Sequence, residues 1–238
     1  MGYSEVALQQ VRERRLLIDQ VDLWLYEEVV PYLGKRILEI GCGLGNLARY
    51  LTDRELYVGT DLSSESVAAV VETFSSHPNM RAYVADVTDS TFTELAHLNF
   101  DTVISLNVFE HIEDDVLALQ NTRKVLQPDG KLILVVPAHD SLYGTMDRSI
   151  GHYRRYSKRR MTDTLSHARL TCVRQRYINA LGALGWLVNG RILGQEVPPS
   201  GQLRSFNHLV PLLKRLERSV NMPFGISLLT VASKDLDD

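Results

Sequence analysis

The 238 residues carry a net charge of −3 and a pI near 6.2, which gives phosphate backbones and anionic lipid no global attraction and sets nucleic-acid binding aside. With 45% hydrophobic residues the chain can bury one good core, so a single domain over residues 1–238 with an elaboration is expected. Cys42 and Cys172 lie far apart and lack metal-ligand spacing, as reduced thiols of a cytoplasmic protein would.

The N-terminal residues show no apolar run behind their charges, so no secretory signal is expected. The longest apolar stretch, 178–188, is interrupted by Asn179 and falls short of a membrane span. Over residues 4–34 the positions Leu8, Val11, Ile18, Val21, Leu25 and Val29 recur at helical intervals, closed by Pro31 and Gly34. This amphipathic helix, or pair of helices, reads either as a cover for the sheet or as a lid over a cofactor.

Arg36–Tyr50 (RILEIGCGLGNLARY) follows. Ile37, Leu38 and Ile40 read as a buried strand, Gly41–Gly45 as a tight turn, and Asn46–Leu51 as a helix start. Glycines let a ligand lie against backbone, and a helix start offers free N–H groups. A dinucleotide fingerprint wants its third glycine at position 46, where this chain has Asn46, with Gly45 one residue early. The acidic Glu39 at the strand end can hold an ammonium group or the N–H groups of the turn.

The E-x-G-x-G-x-G form resembles motif I of the class I S-adenosylmethionine (SAM) dependent methyltransferases, whose turn receives the methionine part of SAM. The resemblance implies that Glu39, Gly41, Cys42, Gly43 and Gly45 contact the cofactor. Leu56–Leu62 reads as a second buried strand ending in Asp61, whose carboxylate can accept both ribose hydroxyls, with Leu62 beside it. Ser63, Ser64 and Glu65 supply cap chemistry for a helix over Ser66–Phe74. Met80–Val87 alternates as a third strand. By resemblance Asp86 would bind the adenine amino group and Val87 would pack on the ring; the alternative for Asp86 is a turn residue.

Phe100–Leu106 is a fourth strand, followed by NVFEHIEDD over Asn107–Asp115. The resemblance places Asn107 and Val108 against the methionine end of SAM and Glu110–His111 near the reacting centre. Glu113, Asp114 and Asp115 read as acids complementing the start of a helix over Val116–Leu126, not as a metal site. A turn at Gln127–Gly130 and an apolar strand at Lys131–Val136 complete an alternation that implies a parallel sheet covered on both faces. Ligands in such sheets bind at the carboxyl ends of the strands.

Pro137–Arg160 is crowded with groups that bind anions or move protons. Here Arg148, Arg154 and Arg155 read as fixing a polar or anionic oxygen of the acceptor, with His139, Tyr143 and Tyr156 as further contacts. His152 reads as the base, joined at the catalytic centre by His111 and Tyr153. The alternative is a surface set that pairs only with itself. His139, Asp140 and His152 form no compact zinc motif, and no metal is expected. The run D-R-x-x-G-H-Y-R-R-Y resembles one in a bacterial branch of the ubiquinone/menaquinone-type methyltransferases.

Met161–Leu170 reads as a helix, and 171–180 and 225–233 as strands that by resemblance form an antiparallel edge. The 181–224 insertion between them holds a glycine-rich apolar run at Leu181–Leu193, a linker at Pro198–Gly201 and a basic amphipathic helix at Leu209–Val220. It reads as a cap over the acceptor pocket; a homodimer contact and peripheral membrane contact are its other uses.

The expected architecture is an α/β, doubly wound, seven-stranded, mostly parallel Rossmann-like sheet. Residues 36–136 form its SAM-binding core and 137–160 its acceptor loop. The expected reaction moves a methyl group to an O or N nucleophile of a small polar or anionic molecule and leaves S-adenosylhomocysteine. A nicotinamide-dependent oxidoreductase and a non-catalytic scaffold are the rivals.

Overall fold

The computed structural model describes residues 17–220 and 222–234. The first half of the expected N-terminal helical segment, with Leu8 and Val11, lies outside the described residues. Seven strands form one sheet in the order β3-β2-β1-β4-β5-β7-β6: β1 Arg36–Ile40, β2 Leu56–Asp61, β3 Met80–Val84, β4 Phe100–Leu106, β5 Leu126–Pro137, β6 Thr171–Ile178 and β7 Ser227–Ser233. β1 through β5 pair in parallel, and only β7 runs against both of its neighbours.

Strand residues alternate between two cores. Leu38, Val58, Val103, Leu132 and Leu134 enter one; Ile37, Tyr57, Ile104, Ile133 and Val135 enter the other. Burial on both sides explains why these strands are apolar runs rather than alternating ones. On the first face lie α3 (Asp115–Val125) and α5 (Lys158–His167); on the second lie α1 (Asp19–Val29) and α2 (Ser64–Thr73). The remaining helices are α4 (Thr145–Ser149), α6 (Ala180–Trp186), which runs on as a wider π turn over Leu187–Ile192, and α7 (Ser200–Ser219).

Local chemistry sets the helix starts. Ser63 accepts from Ser66 N to cap α2, and Asp114 accepts from Leu117 N to cap α3, so Asp114 acts as the helix-start acid expected of it. α1 is anchored by Trp24, 2% exposed, whose Nε1 donates to Glu28 at 3.2 Å while Arg176 of β6 donates to the other oxygen at 2.7 Å. Burying a side chain of that size contributes roughly 3 kcal/mol.

Several boundaries differ from expectation, among them the helix after the acceptor loop, which runs Lys158–His167 instead of Met161–Leu170. No regular helix follows the glycine turn; a single 3-10 turn at Ala48–Tyr50 stands there, because the Arg49 side chain takes the Asn46 carbonyl at 2.9 Å. Gln127–Gly130 is drawn into β5, with Asp129 at φ 60° and a register shift opposite β4. β3 ends at Val84, which leaves Asp86 and Val87 in the following turn. α7 begins at Ser200, within the expected linker, since Pro199 at φ −61° leads directly into the helix, and it runs through Pro211.

Candidate active site

The sheet reverses its winding between β1 and β4, and a cavity of about 1170 Å³ opens at that point beyond the strand ends. Its floor is the glycine turn. Gly41, Gly43 and Gly45 adopt φ values of 75°, 50° and 81°, a region that favours glycine. A Cβ on Gly41 would fall 2.3 Å from Val108 Cγ2, so the turn closes tightly over the segment after β4. Over Gly43, by contrast, nothing lies within 4 Å of where a Cβ would stand.

Asp61 at the end of β2 completes this floor. One carboxylate oxygen accepts from Gly43 N and the other from Ser63 N, both at 2.9 Å. Each oxygen keeps a lone pair for a ligand hydroxyl. Glu39 is buried and accepts from Tyr57 Oη at 2.5 Å, and burial, then Glu39 and Asp61, push the neighbouring Cys42 thiol up to about 12. Asn107, at φ 55°, donates its N–H to Val135 O at 2.8 Å and stands on the cavity wall beside Leu106.

Gly45, Leu62, Asp86, Val87 and Val108 are not on the wall of this cavity, Gly45 being turned toward Phe74 and Val70. Leu62 is 71% exposed, Val87 and Val108 pack in the core, and Asp86 accepts from Thr88 N and Oγ1 in the manner of a turn residue.

The far end is a polar corner made by Glu110 and His111, in the 3-10 turn after β4, and by His152 and Arg155 of the loop after β5. His152 and His111 meet edge to face with centroids 4.7 Å apart, and His152 Nε2 lies 3.9 Å from Glu110 Oε1. Asp147 holds the arrangement: it pairs with His152 Nδ1 and Arg155 Nε at 2.8 Å each, and accepts from Trp186 Nε1 of α6 at 3.1 Å and from Gly144 N at 3.0 Å. Burial works against the Asp147 carboxylate, but the His152 hydrogen bond and the Arg155 charge hold its pKa below the usual range. Glu110 is fully buried, and that burial raises its carboxyl to about 7 against the pull of His152. His111 is exposed and lines the cavity; desolvation, then His152, lowers it to about 4.

Most of the remaining residues expected to meet the acceptor lie elsewhere. Tyr156 is fully buried and donates to Asp115 Oδ2 at 2.8 Å, and Arg154 pairs with the same carboxylate at 2.8 Å. Tyr143 donates to His152 O at 2.7 Å, with Arg148 over its ring. His139 packs against Tyr177 at 4.5 Å, and Tyr153 is 53% exposed beside Arg154. None of these six lines the cavity. Several of their partners, Asp115 and Tyr177 among them, lie outside the loop, so a surface set pairing only with itself does not describe them either.

The roof is drawn from the two segments that the sequence offered as a lid and a cap, but most of its residues were not named there. Trp24 and Leu25 of α1, Trp186 of α6 and Leu203, Phe206 and Leu209 of α7 close the cavity from above. Their helical periodicity was visible, but which face would look inward depends on tertiary packing. Among the described residues, the charged groups on the wall other than histidine are Asp22, Glu39, Asp61, Glu65 and Glu110 against Arg155 alone, which is committed to Asp147.

Residues 38–132 match a family model described as a methyltransferase domain. A non-reducing polyketide synthase of Penicillium roqueforti is 33% identical over 48% of this chain and 5% of its own length. Phosphoethanolamine N-methyltransferase 1 of Triticum aestivum is 30% identical over 42% of this chain and 20% of its own. The chain thus spans a quarter or less of the length of these curated relatives. A SAM-dependent methyltransferase structure from Mesorhizobium loti superposes with a TM-score of 0.55 at 14% identity, covering 85% of this chain and 92% of that one. The fold is the Rossmann-like one of that structure, a mostly parallel seven-stranded sheet with flanking helices. No described helix is long and apolar enough to cross a membrane.

Proposed function

We propose that the protein is a SAM-dependent methyltransferase acting on an oxygen or nitrogen nucleophile of a small molecule. The observation that carries the reading is one cavity with two distinct ends, a glycine turn bearing Asp61 at one and the Glu110–His111–His152 corner at the other. The volume exceeds what a single drug-sized ligand fills, so cofactor and acceptor have room together. The wall also suits SAM electrostatically, since a sulfonium and an ammonium are favoured where carboxylates outnumber cations.

Glu39, Gly41, Gly43 and Asp61 would hold the cofactor, Asp61 through its remaining lone pairs and Gly43 through its open face. When bound, SAM supplies an electrophilic methyl group, whose bond to sulfur breaks as the bond to the acceptor forms, leaving S-adenosylhomocysteine. The protein's part is to align the acceptor, exclude water and let a neutral acceptor lose its proton at the histidine corner. Trp24 and Trp186 line the same cavity and give it an apolar wall.

The acceptor expected from the sequence was polar or anionic. The structure favours a neutral or cationic head, because Arg155 is spent on Asp147 and the apolar roof suits an uncharged body. The phosphoethanolamine in two relatives' names joins an amine to a phosphate, and only the amine end suits this wall. Calorimetric titration with SAM, S-adenosylhomocysteine and NAD tests the cofactor half. Micromolar binding of the first two without NAD is expected, and binding of NAD alone would refute it.

A further inference from the structure

We infer that Glu110, His111 and His152 form a binding site for a divalent first-row transition ion, zinc above all, in the acceptor corner. One ligand atom from each residue lies within 4.8 Å of the others, and all three residues line the cavity. Sequence spacing gave no hint of it. Glu110 and His111 are adjacent, but His152 arrives from a loop forty-one residues later.

Glu110 is the strongest sign. Both of its carboxylate oxygens are buried without a hydrogen-bond partner, at the wall of a cavity. Such a group is expected to be paired or to hold a metal. His152 supplies the second sign. Its Nδ1 is fixed by Asp147 Oδ1 at 2.8 Å, which leaves Nε2 facing Glu110 with its lone pair. A carboxylate behind the imidazole is how ligating histidines are generally oriented. His111 completes two nitrogens and one carboxylate with the cavity side open, the donor set of a catalytic zinc site that keeps a position for its substrate. Two imidazoles argue against magnesium and calcium, which favour oxygen.

Ligands held at about 2.1 Å from zinc stand no more than about 4 Å apart, so the three donors must draw together by roughly an ångström. Side-chain rotation supplies that. This inference rests on the proposed methyl transfer for its purpose: an acceptor hydroxyl would take the open position, where the bound ion would lower its pKa and favour the alkoxide as the methyl acceptor. The geometric case stands without it.

The test uses the full chain stripped with EDTA and titrated with Co²⁺ and Zn²⁺, reading cobalt ligand-field absorption and calorimetric affinity, with Mg²⁺ for contrast. One equivalent of Co²⁺ with visible bands, displaced by Zn²⁺ and not by Mg²⁺, is expected. His111→Ala and His152→Ala should each weaken binding at least tenfold, and Asp147→Asn by about tenfold. S-adenosylhomocysteine affinity, measured on every variant, should be unchanged and reports that the fold survives. A native protein that binds S-adenosylhomocysteine but no Co²⁺ or Zn²⁺ at millimolar concentration overturns the site, as does binding that folded His111 and His152 variants retain. Should a variant unfold, titration of the native protein decides alone. Cation binding without any SAM or S-adenosylhomocysteine binding would instead refute the methyltransferase reading and leave the site standing.

Discussion

Asp61→Ala attacks the cofactor floor at the residue with two duties. In the free protein its oxygens accept from Gly43 N and Ser63 N, and both donors are only half-buried. Water can replace those partners, so the stability loss should be modest, about 1–2 kcal/mol. The ligand-side loss should be larger. Two hydroxyl hydrogen bonds to a charged acceptor are worth roughly 1.5–3 kcal/mol each. Taking the lower figure for both gives about 3 kcal/mol, or a fall in affinity of about 150-fold. Calorimetric titration with S-adenosylhomocysteine, alongside thermal unfolding by circular dichroism, separates the two effects. Asp61→Asn keeps one carbonyl acceptor and should fall between. A folded Asp61→Ala protein that binds S-adenosylhomocysteine within threefold of the native chain would refute the assignment of Asp61 to the ribose.

Gly41→Ala and Gly43→Ala should part ways. The first meets Val108 and should cost about 2–4 kcal/mol in urea unfolding; the second has open space and should cost about 1 kcal/mol while weakening S-adenosylhomocysteine binding more than tenfold. Asp147→Asn removes the charge behind His152, so methyl transfer should drop at least tenfold and its pH profile should move while S-adenosylhomocysteine affinity holds; an unchanged kcat and profile would show that Asp147 serves packing only. The folded Cys42 thiol titrates at about 12, above its unfolded value, so it favours folding below about pH 9 and that contribution is lost as pH rises toward 12. Cys42→Ala should therefore flatten the decline of the urea midpoint above pH 9, and in the native chain iodoacetamide at pH 8.5 should label Cys172 well before the buried Cys42.

The sheet was legible because burial on both faces leaves a plain mark. Ile37–Ile40 and Lys131–Val136 have almost nothing polar to place, so the strands themselves follow. Asp61 was legible because a carboxylate closing such a run has few structural uses there. The loop after β5 was harder. Its arginines and tyrosines look alike in sequence, yet Arg155 enters the cavity while Tyr156 turns into the core to meet Asp115, forty-one residues earlier. An isolated bridge from Ala138 to Tyr156 fixes that choice, and no local pattern announces it. The part played by Asp147 was not legible either. Its importance comes from Trp186, thirty-nine residues away, which no spacing rule reaches.

The roof joins parts of the chain made at opposite times. Asp19 and Gln20 of α1 bond Asn207 of α7, and Glu27 takes Lys214 at 2.9 Å, across 187 or 188 residues of sequence. Domains are synthesised from the N-terminus, so α1 emerges first and can settle Trp24, Leu25 and Val29 only once the sheet is built. Its polar edge is completed by α7, and the sheet beneath it by β7, both from the far end of the described chain. The floor that bears Asp61 needs nothing beyond β5, whereas the ceiling is finished among the last contacts made. A nascent chain would therefore meet cofactor before it could enclose an acceptor, and a ligand already seated on the floor would give the late-arriving roof something to close upon.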